Sequence, residues 1–237
     1  MSGDTAVKRF YERSHRLNAE RSRMDLVTAE LGLQRMMAPG HRYNCVYQEL
    51  VRDRTRRVCE LGYGGPELLP AISALSKTYT IVDVVDRSLG LSLPENTSFV
   101  NSDLNDDFPF ENATFEVIVA MMIVEHLFDP FHAFRELARI CQSGGVVLVN
   151  LPNIAALKCR LSLLFGHMPV TSSKDWFETR EWDGNHLHYF TIKDTIRLAA
   201  LFGLRLRTIC SIGAGLKLKD LAPSLFCHEV SYVFDKR

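Results

Sequence analysis

The sequence lacks several features that would place it in a specialised class of protein. Basic and acidic residues balance at 28 each, so no overall field attracts nucleic acid or an anionic membrane. No apolar stretch reaches the roughly 20 residues that a membrane span needs. The six cysteines include no Cys-x-x-Cys pair and follow no signal peptide. We therefore expect reduced thiols in a cytoplasmic protein that has neither a nucleic-acid partner nor a membrane span.

The alternation of strand and helix patterns predicts the fold. The 237 residues, 46% of them hydrophobic, can bury the core of one large domain. Apolar or β-branched runs predict seven strands, near 57–60, 80–85, 98–100, 115–122, 146–151, 204–209 and 229–234. Helical patterns separate several of them, at 66–77, after Asp129-Pro130 and at 192–202. We predict an α/β fold with a doubly wound, mostly parallel seven-stranded sheet, whose ligands bind at the carboxyl ends of the strands.

A glycine-rich turn follows the first predicted strand. Gly62 and Gly64 permit positive φ angles and the close approach of a ligand, and the next helix would offer N–H groups to it. Glu60, at the end of the strand, would repel a phosphate but accept hydrogen bonds from an ammonium group. The turn therefore predicts a nucleotide-type site, and a purely structural strand-to-helix turn is the alternative.

Further along, the chain resembles the class I S-adenosylmethionine (SAM)-dependent methyltransferases over roughly residues 55–210. The segments that carry the resemblance are Glu60-Leu61-Gly62-Tyr63-Gly64, Val84-Val85-Asp86-Arg87-Ser88, Asp103-Leu104 and Val124-Glu125-His126-Leu127. The last segment belongs to a longer stretch, from Phe108-Pro109-Phe110 to Leu151-Pro152-Asn153. This stretch is similar to the bacterial small-molecule enzymes that are related to ubiquinone-type O-methyltransferases and to enzymes encoded with surface-polysaccharide genes. The resemblance implies a Rossmann-like fold and SAM as the cofactor.

The resemblance also implies how the cofactor is held. Glu60 would bind the ammonium group, Asp86 the ribose hydroxyls and Asp103 the adenine amine. The other implied cofactor residues are Gly62, Tyr63, Gly64, Arg87, Leu104 and Met122. Asp83 competes with Asp86 for the ribose. Pro66 stands where the family usually has a third glycine, which could shift the turn and weaken SAM binding.

The Glu125-His126 pair is the predicted catalytic centre. In some metal-using relatives this pair, a glutamate three residues upstream and a distant histidine bind a divalent ion. Here Met122 occupies the upstream position, so we expect no metal. His126 would face the transferred methyl group and act as general base beside Glu125. The alternative is a structural histidine with a locally paired glutamate.

Substrate residues are predicted on the carboxyl-terminal side. Residues 185–191 resemble a segment of polysaccharide-associated relatives, and His186 and His188 would point to one side of an extended chain. The other predicted substrate residues are Asn153 and Arg160. Trp176, Trp182 and Lys158 are weaker candidates, because packing aromatic residues or a solvated helix face would explain them equally well.

The predicted organisation is a helical cap over residues 1–55 and a SAM-binding catalytic domain over 56–237, with a substrate-side insertion at about 154–190. The predicted function is transfer of a methyl group to a small-molecule or sugar-containing acceptor. One alternative is a catalytically inactive SAM-fold binding or regulatory protein. Another is a nicotinamide-dependent oxidoreductase, against which Glu60 and the missing third glycine argue. The sequence does not indicate the oligomeric state.

Overall fold

The computed structural model describes residues 29–63, 68–85, 93–172, 178, 180, 182–213 and 215–237. The strands are β1 (Arg57–Leu61), β2 (Thr78–Asp83), β3 (Thr97–Asn101), β4 (Phe115–Met121), β5 (Cys141–Pro152), β6 (Leu204–Ser211) and β7 (Glu229–Lys236). The helices are α1 (Ala29–Met37), α2 (Asn44–Leu50), α3 (Leu69–Ala74), α4 (Pro130–Ile140), α5 (Leu157–Leu164), α6 (Ile192–Leu201), α7 (Leu216–Leu221) and α8 (Pro223–Phe226). Two short 3-10 turns cover Val124–His126 and Trp182–Asn185.

Within the described ranges the strands form one seven-stranded sheet of order β3-β2-β1-β4-β5-β7-β6. Strands β1 to β5 are parallel, whereas β7 runs antiparallel to both of its neighbours, β5 and β6. The prediction of seven strands in an α/β fold is confirmed, but the sheet is mixed rather than purely parallel. The physical reason is that the chain leaves β6 and enters β7 at the same edge of the sheet, which requires a reversal of direction.

Apolar residues cover both faces of the sheet. On one face, Phe134 of α4 and Leu198 of α6 belong to the same buried cluster as Cys59 and Leu61 of β1. On the other face, α1, α2 and α3 contribute buried residues to a second cluster that includes Val58. Alternation along β1 thus sends successive side chains to opposite faces, as expected for a central strand covered by helices.

Helix boundaries follow local capping chemistry in two cases. The Asp129 side chain accepts a hydrogen bond from Phe131 N at 2.8 Å at the start of α4, and Thr191 accepts one from Asp194 N at 3.2 Å at the start of α6. The side chains of Asp129 and Thr191 therefore fix where these two helices begin. The predicted start of β5 at residue 146 is wrong, because Cys141 already pairs with Phe115 and the glycines at 144 and 145 lie inside the extended strand.

The amino-terminal region is helical where it is described, in α1 and α2, and residues 1–28 of the predicted cap lie outside the described residues. Helix α3 is shorter than the predicted 66–77, and residues 64–67 are also outside the described part. None of the helices in the described ranges is long and apolar enough to cross a membrane. All six cysteines are free thiols.

Candidate active site

The turn after β1 lies at the carboxyl edge of the sheet. Gly62 has φ +77° and donates its N–H to Val82 O at 2.9 Å. A Cβ at this position would lie 2.7 Å from Cγ1 of Ile123. Glycine is therefore required at position 62 by the left-handed backbone and by the nearby Ile123 side chain. From the sequence alone, this glycine is instead explained by a ligand that approaches the backbone closely. Gly64 and Pro66 lie outside the described residues.

Glu60 points into the core on the side of the amino-terminal helices. Its carboxylate accepts hydrogen bonds from the hydroxyl of Tyr43, at 2.5 Å, and from that of Tyr79. Burial raises the pKa of the Glu60 carboxyl, and the two tyrosine hydrogen bonds oppose this effect. Glu60 thus links Tyr43, the residue before α2, to the sheet, and its contact with an ammonium group stays a prediction.

Asp83 closes β2 and holds the turn after β1. Its carboxylate accepts the N–H of Tyr63 at 2.8 Å and the N–H of Val85 at 3.0 Å. The Tyr63 side chain is buried and packs edge-to-face on Phe99, with ring centroids 6.3 Å apart, so only its backbone borders the turn. Asp86 and Arg87 lie outside the described residues, and the choice between Asp83 and Asp86 for the ribose remains open.

The predicted adenine side follows β3. Asp103 is half-buried, and its Oδ1 accepts both the backbone N–H and the side-chain amide of Asn105. Leu104 is buried in the core beneath it. Asn105 Oδ1 in turn accepts the N–H of Phe128 at 2.8 Å, which ties this loop to the connection between β4 and α4. The geometry leaves Asp103 at the same edge of the sheet as the glycine turn.

Met122 directs the chain into the catalytic segment. It is a non-glycine residue with φ +54°, and its N–H bonds to Asn150 O at 3.0 Å. A left-handed conformation costs a side-chain-bearing residue on the order of 1 kcal/mol, which the surrounding structure must offset. The resulting change of direction sets up the 3-10 turn that carries Glu125 and His126.

Glu125 is fully buried, and among the residues that the structure describes neither of its carboxyl oxygens has a hydrogen-bond partner. Burial raises its pKa to about 8, and the nearby Arg42 guanidinium opposes this rise only in part. The group is therefore largely protonated at neutral pH. Its backbone oxygen accepts the N–H groups of Leu187 and His188, at 2.8 and 3.2 Å, so the same residue joins the 3-10 turn to the 187–188 segment.

His126 and His186 face each other at the end of β4, with ring centroids 4.8 Å apart and planes at 70°. His126 Nδ1 lies 3.1 Å from Asn185 O, and because a carbonyl only accepts, Nδ1 carries the hydrogen and Nε2 the lone pair. Burial, together with repulsion from His186 when that ring is protonated, lowers the pKa of His126 to about 4. His126 is thus a neutral imidazole at physiological pH.

A buried aspartate holds His186 in place. Asp183, at φ +41°, accepts hydrogen bonds from the N–H and hydroxyl groups of Thr171 and Ser172. The Thr171 hydroxyl donates to Asp183, so it accepts from His186 Nδ1 at 2.7 Å. Although burial favours the neutral form of Asp183, these hydrogen bonds outweigh it and lower its pKa. Nothing in the sequence pattern distinguished Asp183 or Thr171 beforehand.

The other predicted substrate residues separate into two groups. His188 joins the site, since its Nε2 lies 3.1 Å from Phe128 O beside the catalytic segment. Asn153 has a structural role instead: it is 1% exposed, and its amide donates to Ser224 O and Cys227 O. A contact of Asn153 with substrate stays a prediction, although the connection between β6 and β7 occupies its side-chain amide.

Arg160 and Lys158 lie on the exposed side of α5. Arg160 Nε donates to Ala155 O at 2.6 Å. Trp182 is exposed, and Trp176 lies outside the described residues. A contact of Arg160 with substrate stays a prediction.

Three residues that sequence reasoning missed surround the catalytic segment. Arg42, in the connection between α1 and α2, forms an ion pair with Glu229 of β7 at 2.9 Å, and both influence the pKa of Glu125. Asn150 of β5 donates to Ser231, while its buried Oδ1 has no hydrogen-bond partner within the described part of the chain. The sequence signal was absent, since Arg42 is one of many arginines and Asn150 lies within an apolar strand.

One cluster in the described part of the chain could hold a metal ion. Glu125, His126 and His186 each offer a donor atom, and these atoms lie within 4.8 Å of one another. The expectation of no metal came from Met122 at the upstream position, and it stays a prediction. The same three side chains could instead serve proton transfer, because both imidazoles are held with a lone pair on Nε2.

The fold and this site define a Rossmann-like α/β protein with a nucleotide-type turn beside a histidine pair. A family model described as a methyltransferase domain matches residues 33–209. The chain therefore belongs to the methyltransferase-domain family.

Individual relatives agree with this assignment. Over 127 residues the chain is 29% identical to a probable S-adenosylmethionine-dependent methyltransferase of Mycolicibacterium smegmatis, a match that covers 47% of this chain and 44% of that protein. A protein of the same description from Mycobacterium tuberculosis is 28% identical over 115 residues. The match covers 47% of this chain and 42% of that protein. The chain thus spans less than half of the length of these relatives.

Solved structures confirm the fold. An S-adenosylmethionine-dependent methyltransferase from Mesorhizobium loti matches with a TM-score of 0.58 and 13% identity, over 87% of this chain and 97% of that chain. The YcgJ protein from Bacillus subtilis matches with a TM-score of 0.57 and 14% identity, over 83% of this chain and 99% of that chain. At this level of identity the likeness shows the fold alone.

The described residues at the carboxyl ends of β1, β2 and β3 are suited to hold SAM. The Gly62 turn is sharp and left-handed, and the carboxylates of Asp83 and Asp103 stand at or just beyond the ends of β2 and β3. Carboxylates are suitable acceptors for hydroxyl and amine hydrogens. The histidine pair follows β4, the strand that pairs with β1 on its other side.

Proposed function

We propose that this chain transfers a methyl group from SAM to a hydroxyl of a small-molecule or sugar-containing acceptor, with His126 as general base. The observation that carries the proposal is the pair of neutral histidines held at the end of β4, next to the strand that carries the glycine turn. SAM, when bound, supplies an activated methyl group. The chain's own residues then position the acceptor, exclude water and take its proton.

His126 suits the proton-accepting role through its tautomer. The hydrogen bond from Nδ1 to Asn185 O leaves the lone pair on Nε2, so the acceptor's proton would move to that atom. The low pKa keeps the ring neutral and available over the physiological range, although it also makes the ring a weak base. Ionisation of Glu125 would strengthen this base, because a nearby carboxylate favours the imidazolium form.

Cofactor and acceptor would occupy two sides of this edge. Gly62 and Asp103, with Asp83 or Asp86, would hold SAM, and Glu60 stays a proposed partner of its ammonium group. His186 and His188 would face the acceptor, and Arg160 could contact an anionic group on it. The six free thiols support a cytoplasmic location.

Calorimetry with SAM and a radiolabelled methyl-transfer assay over hydroxyl-bearing acceptors test the proposal. We expect His126→Ala to lower turnover about a hundredfold or more, with SAM affinity changed by no more than a few-fold. His132→Ala is the matched control, since His132 lies on α4 and its Nε2 lies 3.0 Å from Asp106 O. A thermal melt of each variant separates lost chemistry from lost folding.

Two outcomes would contradict the proposal. Absence of SAM binding would exclude an enzyme of this class, and SAM binding without turnover on any acceptor would favour a catalytically inactive binding or regulatory protein. A metal chelator tests whether His126 acts as the general base. Turnover that disappears with a chelator and returns with Mg²⁺ or Mn²⁺ would replace the general-base step by metal-assisted chemistry at the Glu125, His126 and His186 cluster.

A further inference from the structure

Helix α5 and the residue after it expose an unusual amount of apolar surface. The side chains are Leu157, Leu161, Leu163, Leu164 and Phe165, of which the last two are 74% and 73% exposed. Only Cys159 in this helix is buried. A solvated helix normally turns its leucines inward, whereas this helix exposes four leucines together with Lys158 and Arg160.

A second exposed apolar element, α7, follows β6 and contacts α8, which in turn contacts α5. Leu218 and Leu221 of α7 are both exposed, Leu221 to 82%. Asn153, four residues before α5, bonds to the carbonyls of Ser224 in α8 and of Cys227 just after α8, and only residue 222 separates α8 from α7. We call the exposed apolar side chains of α5, Phe165 and α7 the α5–α7 surface.

The charges of the α5–α7 surface are predominantly positive, although the whole chain is neutral. Residues 154–172 contain Lys158 and Arg160 and no acidic residue, and residues 212–228 contain Lys217, Lys219 and one acid, Asp220. Lys158 and Lys219, from the two elements, both act with burial to lower the pKa of His228, so their charges converge. Exposed leucines framed by cations match the headgroup region of an anionic bilayer.

The position of this surface connects it with the site. Both β5 and β6 end at the carboxyl edge of the sheet, and α5 and α7 follow these two strands. Exposed Phe128, Leu187 and Tyr189 extend the apolar character along the same edge, beside the histidine pair. A membrane in contact with α5 would therefore lie at the edge where the acceptor enters.

We propose that the α5–α7 surface docks the protein on anionic phospholipid membranes, as a peripheral contact that does not cross the bilayer. If the proposed function holds, the acceptor is then an amphiphilic or lipid-linked molecule that is reached from the membrane surface. Apolar insertion would supply most of the affinity, and the cations would supply the preference for anionic lipid.

Co-sedimentation with vesicles tests the docking without any methyl transfer. We expect binding to phosphatidylcholine vesicles that contain phosphatidylglycerol, and much weaker binding to pure phosphatidylcholine or at high salt. Leu164→Ser with Phe165→Ser, and separately Lys158→Glu with Arg160→Glu, should each weaken binding about tenfold or more. Leu201→Ser is the matched control, because this leucine is 68% exposed at the end of α6, on the opposite edge of the sheet, and should have no effect.

Several results would overturn the proposal. One is absence of binding to either vesicle, and another is binding that the Leu164→Ser and Phe165→Ser variant retains. A third is a concentration-dependent dimer, seen by sedimentation velocity and lost in that variant, which would show that a second copy covers the α5–α7 surface. SAM affinity measured on the same variants should stay unchanged, so failure of docking is distinguishable from failure of the proposed activity.

Discussion

Glu125→Gln changes the ionisation of the candidate site while nearly preserving its shape. The Glu125 carboxyl is fully buried and neither oxygen has a hydrogen-bond partner in the described ranges, so no hydrogen bond from these residues replaces the hydration that the ionised form would lose. Arg42 attracts the ionised form, but it also pairs with Glu229, and the pKa stays at about 8. Glutamine occupies similar volume and cannot ionise.

The sign of the effect follows from the raised pKa of Glu125. The folded state keeps a proton that the unfolded chain, with the ordinary value of 4.5, releases. The stability from this proton is fully present below about pH 4.5 and is lost as the pH rises through about 8. The complete difference corresponds to on the order of 5 kcal/mol. His126, with its lowered pKa, gives a slope of opposite sign at lower pH, but it is present in both proteins and cancels in the comparison.

Urea unfolding followed by circular dichroism measures this difference. Between about pH 5 and pH 9 we expect the wild type to lose roughly 3 to 5 kcal/mol of unfolding free energy relative to Glu125→Gln. Glu136→Gln is a matched control, because Glu136 is also buried. Although burial alone would raise the pKa of Glu136, hydrogen bonds from Arg139 and Phe108 N lower it. The stability that ionised Glu136 gives to the fold is therefore present above about pH 4.5 and is lost as the pH falls. This pH dependence is opposite to the one expected from Glu125.

Parallel pH curves for the wild type and Glu125→Gln would refute the reasoning, since they would mean that the carboxyl ionises as it does in water. The catalytic consequence can be read on the same proteins. Wild-type turnover should rise as Glu125 ionises near pH 8, because the carboxylate strengthens His126 as a base, and the variant should lack this rise.

Two further substitutions test the cofactor side of the site. Gly62→Val should destabilise the fold by about 2 to 5 kcal/mol, because its Cβ meets Ile123 at 2.7 Å and its φ is positive. Thermal melts check this, and an added Ile123→Ala should restore part of the loss if the steric explanation is correct. Asp86→Ala should weaken SAM binding by on the order of 2 to 3 kcal/mol through the loss of a charged ribose acceptor, measured by calorimetry. Unchanged affinity there, together with a loss in a still-folded Asp83→Ala, would transfer the role to Asp83.

The sequence by itself determined the features that depend on neighbouring residues. The seven strands and the α/β alternation follow from apolar periodicity, and the caps at Asp129 and Thr191 follow from side chains that bond to N–H groups two or three residues away. Such interactions are local, so a single segment contains all the necessary information. The glycine turn was likewise visible from its residue types.

The tertiary structure alone decided what surrounds each functional side chain. Burial and pKa depend on groups that are distant in the chain: Arg42 and Glu229, paired across 187 positions, lie beside Glu125. Asn153 looked available for substrate until Ser224 and Cys227 occupied its amide. The antiparallel course of β7 and the outward leucines of α5 also depend on which elements pack together. No local pattern contains these contacts, because only the folded chain brings their partners within reach.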